Sequence, residues 1–202
     1  MVVFVISGAS YGLGPELVCQ ASCNDQNIVF ALVRSPKVDK RLADVTITRN
    51  NIYVYFETQE DHQTGYEVRP KTSLDRVSQC LTLQSSFRTR FTHQMNHMNN
   101  LQQFFANHVL DAIQITNAFT PLLDRGSPKK VITLTSQEPF NSRLTMPSGL
   151  DVGVAYAMAK TALEIAVLRY SAIPEYKQKG FVYAIVESSS LFNPEEKGVF
   201  LS

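Results

Sequence analysis

The sequence predicts an α/β fold: a doubly wound parallel sheet with helices on both faces, in one domain spanning residues 1–202. Three observations predict it. Short apolar, β-branched runs alternate with longer segments of helical spacing. The runs are apolar on successive residues, as strands covered on both faces require. Strand, helix and strand in succession close right-handed βαβ units, which pair their strands in parallel.

The first strand signal is "VVFVIS" at 2–7, and "GPELVCQASC" then turns to helical spacing with Pro15 in the first turn. "NIVFALV" (27–33) and "NIYVYF" (51–56) repeat the strand signal. Residues 57–104 are polar, and "RVSQCLTL" (76–83) is the plausible strand among them. From Val109 to Leu123 the spacing is helical, "KVITLTS" (130–136) is a strand, Val154 to Ile173 is helical and "GFVYAIVE" (180–187) is the last strand. The chain has no internal repeat, low-complexity tract or linker.

Composition narrows the function. With 44% hydrophobic and 18% charged residues and a formal charge of +1, nothing attracts nucleic acid or an anionic membrane surface. The opening "MVVFVISGAS" is too short and uncharged for a signal peptide or a membrane span. Cys19, Cys23 and Cys80 are odd in number and lack metal spacing, so a reducing cytoplasm is expected. His93 and His97 in "HQMNH" stand four apart, but Gln94 occupies the place of a zincin glutamate and no third ligand is evident, so no metal is expected. Arg125, Lys129 and Lys130 fit a solvated connection at a helix end, and Cys19 and Cys23 fit packing on the first helix.

Two constellations carry chemistry. In "SGASYGLGPE", Gly8, Gly12 and Gly14 lie where the first strand meets the first helix. Glycines there permit a tight turn and let a pyrophosphate reach backbone N–H groups at the positive end of a helix. A plain strand-to-helix turn is the alternative. The loop offers Gly8, Ser10, Tyr11, Gly12, Leu13 and Gly14 as cofactor-binding residues. At the end of the second strand Arg34 takes the place where NAD sites carry an acidic residue, which suits the 2′-phosphate of NADP, with Ser10 as a second phosphate contact. A solvated loop arginine is the competing reading. The other constellation is "YAMAK": Tyr156 and Lys160 stand i and i+4 on one helix face, where a nearby cation favours the phenolate. Ser136 ends a parallel strand on the edge where open α/β sheets bind ligands, so it could hold a carbonyl that Tyr156 protonates. A strand-end cap and an ordinary amphipathic tyrosine are the alternatives.

"SGASYGLG", "VITLTS" and "YAMAK", in this order, resemble the short-chain dehydrogenases/reductases, and "FALVRSP" with "ITNAFTPLLDRGSPKKVITLTS" resembles the fungal ketoreductase branch. The likeness covers residues 1–36 and 109–186. It implies a Rossmann-type sheet and hydride transfer between NADP(H) and a small carbonyl or alcohol substrate. Ser136 would orient the carbonyl, Tyr156 would be the acid/base, and Lys160 would hold the nicotinamide ribose and tune Tyr156. It also implies a homodimer through the helices at 100–124 and 152–173.

The sequence also departs from that pattern. The Asn-Asn-Ala-Gly that follows the family's fourth strand is missing, with "SQCLT" (78–82) the nearest stretch. A gapless alignment sets His108 in the place of the catalytic Asn, with Asn107 adjacent, so His108 joins the catalytic candidates. Glu187 and Ser188 replace Pro-Gly, Thr58 stands in for an Asp, and the usual final strand is expected to be lacking before Ser202. These changes predict weakened cofactor binding. They keep a second reading open: a divergent member without redox activity, acting as a cofactor-independent isomerase or cyclase, or as a dinucleotide-sensing or interaction protein.

Overall fold

A computed structural model describes residues 1–34, 37–56, 79–82, 98–135 and 154–187. Six strands, β1 (Val3–Ser7), β2 (Ile28–Val33), β3 (Ile52–Phe56), β4 (Gln79–Thr82), β5 (Lys129–Thr135) and β6 (Phe181–Glu187), form one sheet in the order β3-β2-β1-β4-β5-β6. Every pairing is parallel. The order reverses at β1, and all six strands point their carboxyl ends at one edge.

Alternate residues of β1 and β2 feed two apolar layers. Val3 and Val5 of β1, with Phe30 and Leu32 of β2, pack under Ile115, Phe119 and Leu123 of α4 (Asp111–Asp124). On the opposite face Ile6, Val29, Ala31 and Val33 meet Val18 of α1 (Leu13–Ala21) and Leu42 and Val45 of α2 (Lys40–Thr48). This is the period-2 display of a doubly covered sheet. A third cluster joins Val109 and Ala112 to Ala159, Leu163 and Val167 of α5 (Val154–Ala172), the helix that leads through α6 (Pro174–Gln178) into β6.

Two elements differ from the sequence reading. α2 was not anticipated: its last turn, Val45-Thr46-Ile47-Thr48, is β-branched and a poor helix former. It forms because the Asp39 carboxylate accepts the Arg41 N–H at 2.9 Å as an N-cap and because Leu42 and Val45 are buried. The helix expected from Val109 starts earlier, with α3 (Met98–Phe105) and a π-helical segment (Ala106–Leu110) running into α4.

One alignment is corrected. The sequence sets "SQCLT" against a motif that follows the fourth strand, whereas Gln79–Thr82 are that strand, paired with β1 and β5. The positions after Thr82, together with Thr58, His93, His97, Ser136, Ser188 and the expected missing final strand, lie outside the described residues. At the amino edge Lys129 begins β5, bonded to Asp124 at 2.8 Å and lying over the Phe181 ring, so it is anchored rather than merely solvated. Cys19 packs against the α1-side cluster as the sequence predicts, whereas Cys23 is exposed.

Candidate active site

The site candidates gather at the carboxyl edge of the sheet. β1 ends at Ser7, and the chain turns through Gly8 (φ 72°) and Gly12 (φ 68°), a region of backbone space that favours glycine. No side chain caps α1 at Gly12; in its first turn the Gly14 N–H donates to the Tyr11 carbonyl at 3.4 Å and Pro15 has no N–H. A Cβ on Gly14 would lie 2.3 Å from the Gly8 carbonyl oxygen and 2.7 Å from the Ala9 Cα, so α1 starts in direct backbone contact with the loop. Ser10 is buried and its carbonyl accepts the Asp39 N–H at 2.9 Å. The Tyr11 hydroxyl donates to the Lys37 carbonyl, which ties the glycine loop to the connection after β2. Leu13 packs into the apolar cluster beneath α1, leaving only its backbone for a ligand.

Arg34, directly after β2, does not simply trail in solvent. Its guanidinium lies 3.5 Å from the Asp111 carboxylate, with the Arg34 side chain 27% exposed and that of Asp111 3% exposed. Asp111 stands three residues after His108, at the start of α4.

The second group is built by α5 and the π-helical segment. Tyr156, Lys160 and Glu164 stand four apart, share one face of α5, and are all buried, Lys160 to 2% exposure. The Lys160 ammonium lies 5.6 Å from the centre of the Tyr156 ring, in cation–π range. Glu164 accepts a hydrogen bond from the Thr135 hydroxyl at 3.1 Å, which links α5 to the carboxyl end of β5. The sequence reading missed Glu164, although its i+4 step from Lys160 marked it. Glu187 ends β6, in register with Thr135.

His108, and not Asn107, faces Tyr156. Its ring meets the Tyr156 ring edge-on at 5.7 Å and stacks on Phe104 at 5.6 Å. His108 is 3% exposed, and its Nδ1 has no hydrogen-bond partner among the described residues. Burial, then the charges of Lys160 and Arg34, push its pKa down to about 3, so the imidazole is neutral at ordinary pH. The π turn is what brings it there: a wider turn inside a helix re-aims the side chains that follow it.

The described residues thus place a glycine-rich loop and a guanidinium after β1 and β2, and a buried tyrosine, lysine and neutral histidine on the helices beside β5. Among the described residues no cluster of three or more metal-ligating side chains occurs, and no helix is long and apolar enough to cross a membrane.

No family model matches the chain. Individual proteins do. It is 30% identical over 192 residues to the short-chain dehydrogenase/reductase atnB of Arthrinium sp, covering 89% of this chain and 71% of that protein. It is 31% identical over 182 residues to the short-chain dehydrogenase/reductase AacuF of Aspergillus aculeatus, covering 85% and 68%. Among solved structures, the carbonyl reductase Sniffer of D. melanogaster superposes with a TM-score of 0.72 at 16% identity, over 92% of this chain and 79% of that one. The NADPH-bound carbonyl reductase from chicken fatty liver superposes with a TM-score of 0.69 at 13% identity, over 92% and 74%. The chain belongs to the short-chain dehydrogenase/reductase family.

Proposed function

We propose that the protein is an NADP(H)-dependent oxidoreductase that moves a hydride between the nicotinamide and a small carbonyl or alcohol substrate. The observation that carries this reading is the buried Tyr156–Lys160 pair on the same sheet edge as the glycine loop. The residues present fit a dinucleotide: the uncapped first turn of α1 and the positive-φ glycines suit a pyrophosphate, and Arg34 suits a 2′-phosphate. When bound, the nicotinamide supplies or accepts the hydride. The chain's own residues handle the proton and the geometry. Tyr156 gives its hydroxyl proton to the carbonyl oxygen in reduction and takes it back in oxidation. Lys160 sets a cation beside the phenol, favouring its charged form, and holds the nicotinamide ribose. Ser136, next in sequence after β5, orients the carbonyl. Neutral His108 walls the tyrosine against water and neither carries charge to the site nor competes for the cation.

Tyr156→Phe tests the reading, since it removes the proton and keeps the ring. NADPH-dependent turnover across a panel of ketones should fall by about two to four orders of magnitude with the melting temperature little changed. Retained turnover would remove Tyr156 from the chemistry.

The proposal includes a homodimer and a cytoplasmic setting. Met158, Ile165 and Leu168 on α5 and Phe105 on α3 are exposed apolar side chains, which supports pairing of these helices between copies. Cys19 and Cys23 are free thiols, in keeping with a reducing compartment.

A further inference from the structure

Glu164 is a buried carboxylate with no part in the proton transfer from Tyr156. Burying a carboxylate is costly unless donors meet it. Thr135, also buried, donates its hydroxyl to Glu164 at 3.1 Å, and the buried Lys160 cation stands one turn earlier on the same face of α5. The hydrogen bond joins two elements that apolar packing does not lock together. Ala159, Leu163 and Val167 of α5 pack with Val109 and Ala112 and against Tyr183 and Ile185 of β6, and among the described residues that cluster takes in no side chain of β5. Apolar contact is non-directional and lets a helix slide along its axis, whereas a hydrogen bond fixes a distance and an angle. Thr135 is the last residue of β5, so the fixed point lies at the carboxyl end of the strand. Helical side chains lean toward the amino terminus of their helix, so Glu164 reaches toward the end that carries Lys160 and Tyr156. Tyr156 stands two turns before Glu164, about 12 Å along the axis. The helix sets the length of that arm, and Thr135 sets its foot.

We infer that Glu164 is a positioning residue: by accepting the Thr135 hydroxyl it sets how far α5 stands out beyond β5, and so the height at which Tyr156 meets a carbonyl held at the carboxyl end of the sheet. This rests on the reductase reading above. A slip of one residue's rise, about 1.5 Å, takes a proton donor out of reach of its acceptor, and misplacement on that scale lowers turnover without unfolding the chain.

The experiment is steady-state NADPH oxidation by the full chain with the ketone of the panel above that the wild type reduces fastest, read beside the melting temperature. Thr135→Val removes the donor and keeps the shape, and its kcat should fall by about ten-fold at saturating NADPH and ketone. Thr135→Ser keeps the hydroxyl and should stay within about two-fold of wild type. Glu164→Asp keeps the charge and draws the acceptor back by one methylene, so its kcat should fall several-fold. In Thr135→Val, adding Glu164→Asp should change kcat by less than about two-fold, because the bond it would lengthen is already gone. A melting temperature lowered by Thr135→Val with kcat unchanged would make the contact purely a matter of stability and overturn the inference. Equal falls in Thr135→Val and Thr135→Ser, or falls that multiply in the double variant, would overturn it as well. In each of those cases loss of turnover in Tyr156→Phe leaves the reductase reading standing. A wild type without NADPH-dependent turnover on any ketone of the panel, or retained turnover in Tyr156→Phe, overturns both. Should Thr135→Val lack a cooperative melt, Glu164→Asp decides alone: an unchanged kcat contradicts the inference, and a several-fold fall supports it.

Discussion

His108 shows how burial converts an ordinary side chain into a fixed neutral one. Its pKa falls from 6.5 to about 3, through desolvation first and the charges of Lys160 and Arg34 second. Between those two values the unfolded chain binds a proton that the folded chain refuses, so the stability that His108 contributes is complete above about pH 6.5 and is lost as pH falls toward 3. Acidification from about pH 7.5 to about pH 5 should cost about 2 kcal/mol through this residue. Urea unfolding of wild type and His108→Asn at both pH values checks it: the variant should lose less stability on acidification, and parallel losses would show that His108 does not titrate this way. The sequence made His108 a candidate by alignment alone, with Asn107 as an equal rival. Only the π turn, which no residue pattern announces, decides which side chain meets Tyr156. Tyr156 and Lys160 were legible because i, i+4 spacing on a helix fixes a common face whatever surrounds it. Arg34 was legible as a cation at the end of β2, but Asp111, which it approaches, lies 77 positions away and no local pattern points to it.

Among the elements, the strands were legible and the helices less so. β1, β2, β3, β5 and β6 lie within a residue of the apolar runs that predict them; for the central β1, β2 and β5 this is because a strand covered on both faces must be apolar on consecutive positions, whereas β3 keeps its β-branched and aromatic residues with several of them exposed. α2 escaped because its β-branched last turn carries no helical signal and tertiary burial of Leu42 and Val45 decides its state. The junction of β1 and α1 is the element on which the nucleotide reading depends, and its third glycine is a packing requirement. Gly14→Ala would drive a methyl group to 2.3 Å from the Gly8 carbonyl oxygen, a backbone atom that cannot swing aside. It should cost about 1–3 kcal/mol or more in urea unfolding and weaken dinucleotide binding by displacing the first turn of α1. A variant of wild-type stability would mean that the loop yields.

At the scale of the whole molecule, parallel order fixes the site's location before any side chain is considered. With every strand pointing the same way and the order reversing at β1, open α/β sheets take their ligands at the carboxyl ends, where the glycine loop and Arg34 follow β1 and β2 and where Thr135 of β5 meets the helix that carries Tyr156 and Lys160. The proposed dimer belongs to this scale too. Ile165 and Leu168 are exposed on α5, so Ile165→Asp with Leu168→Asp should convert a dimer to a monomer in sedimentation analysis, and an unchanged sedimentation coefficient would place the interface elsewhere. Titrating NADPH into the full chain and into Lys160→Ala measures whether a working dinucleotide cleft lies beside Tyr156 and Lys160. Saturable binding at one site per chain, weakened in the variant, is the predicted result; no heat of binding up to millimolar NADPH in a folded wild-type protein would contradict it.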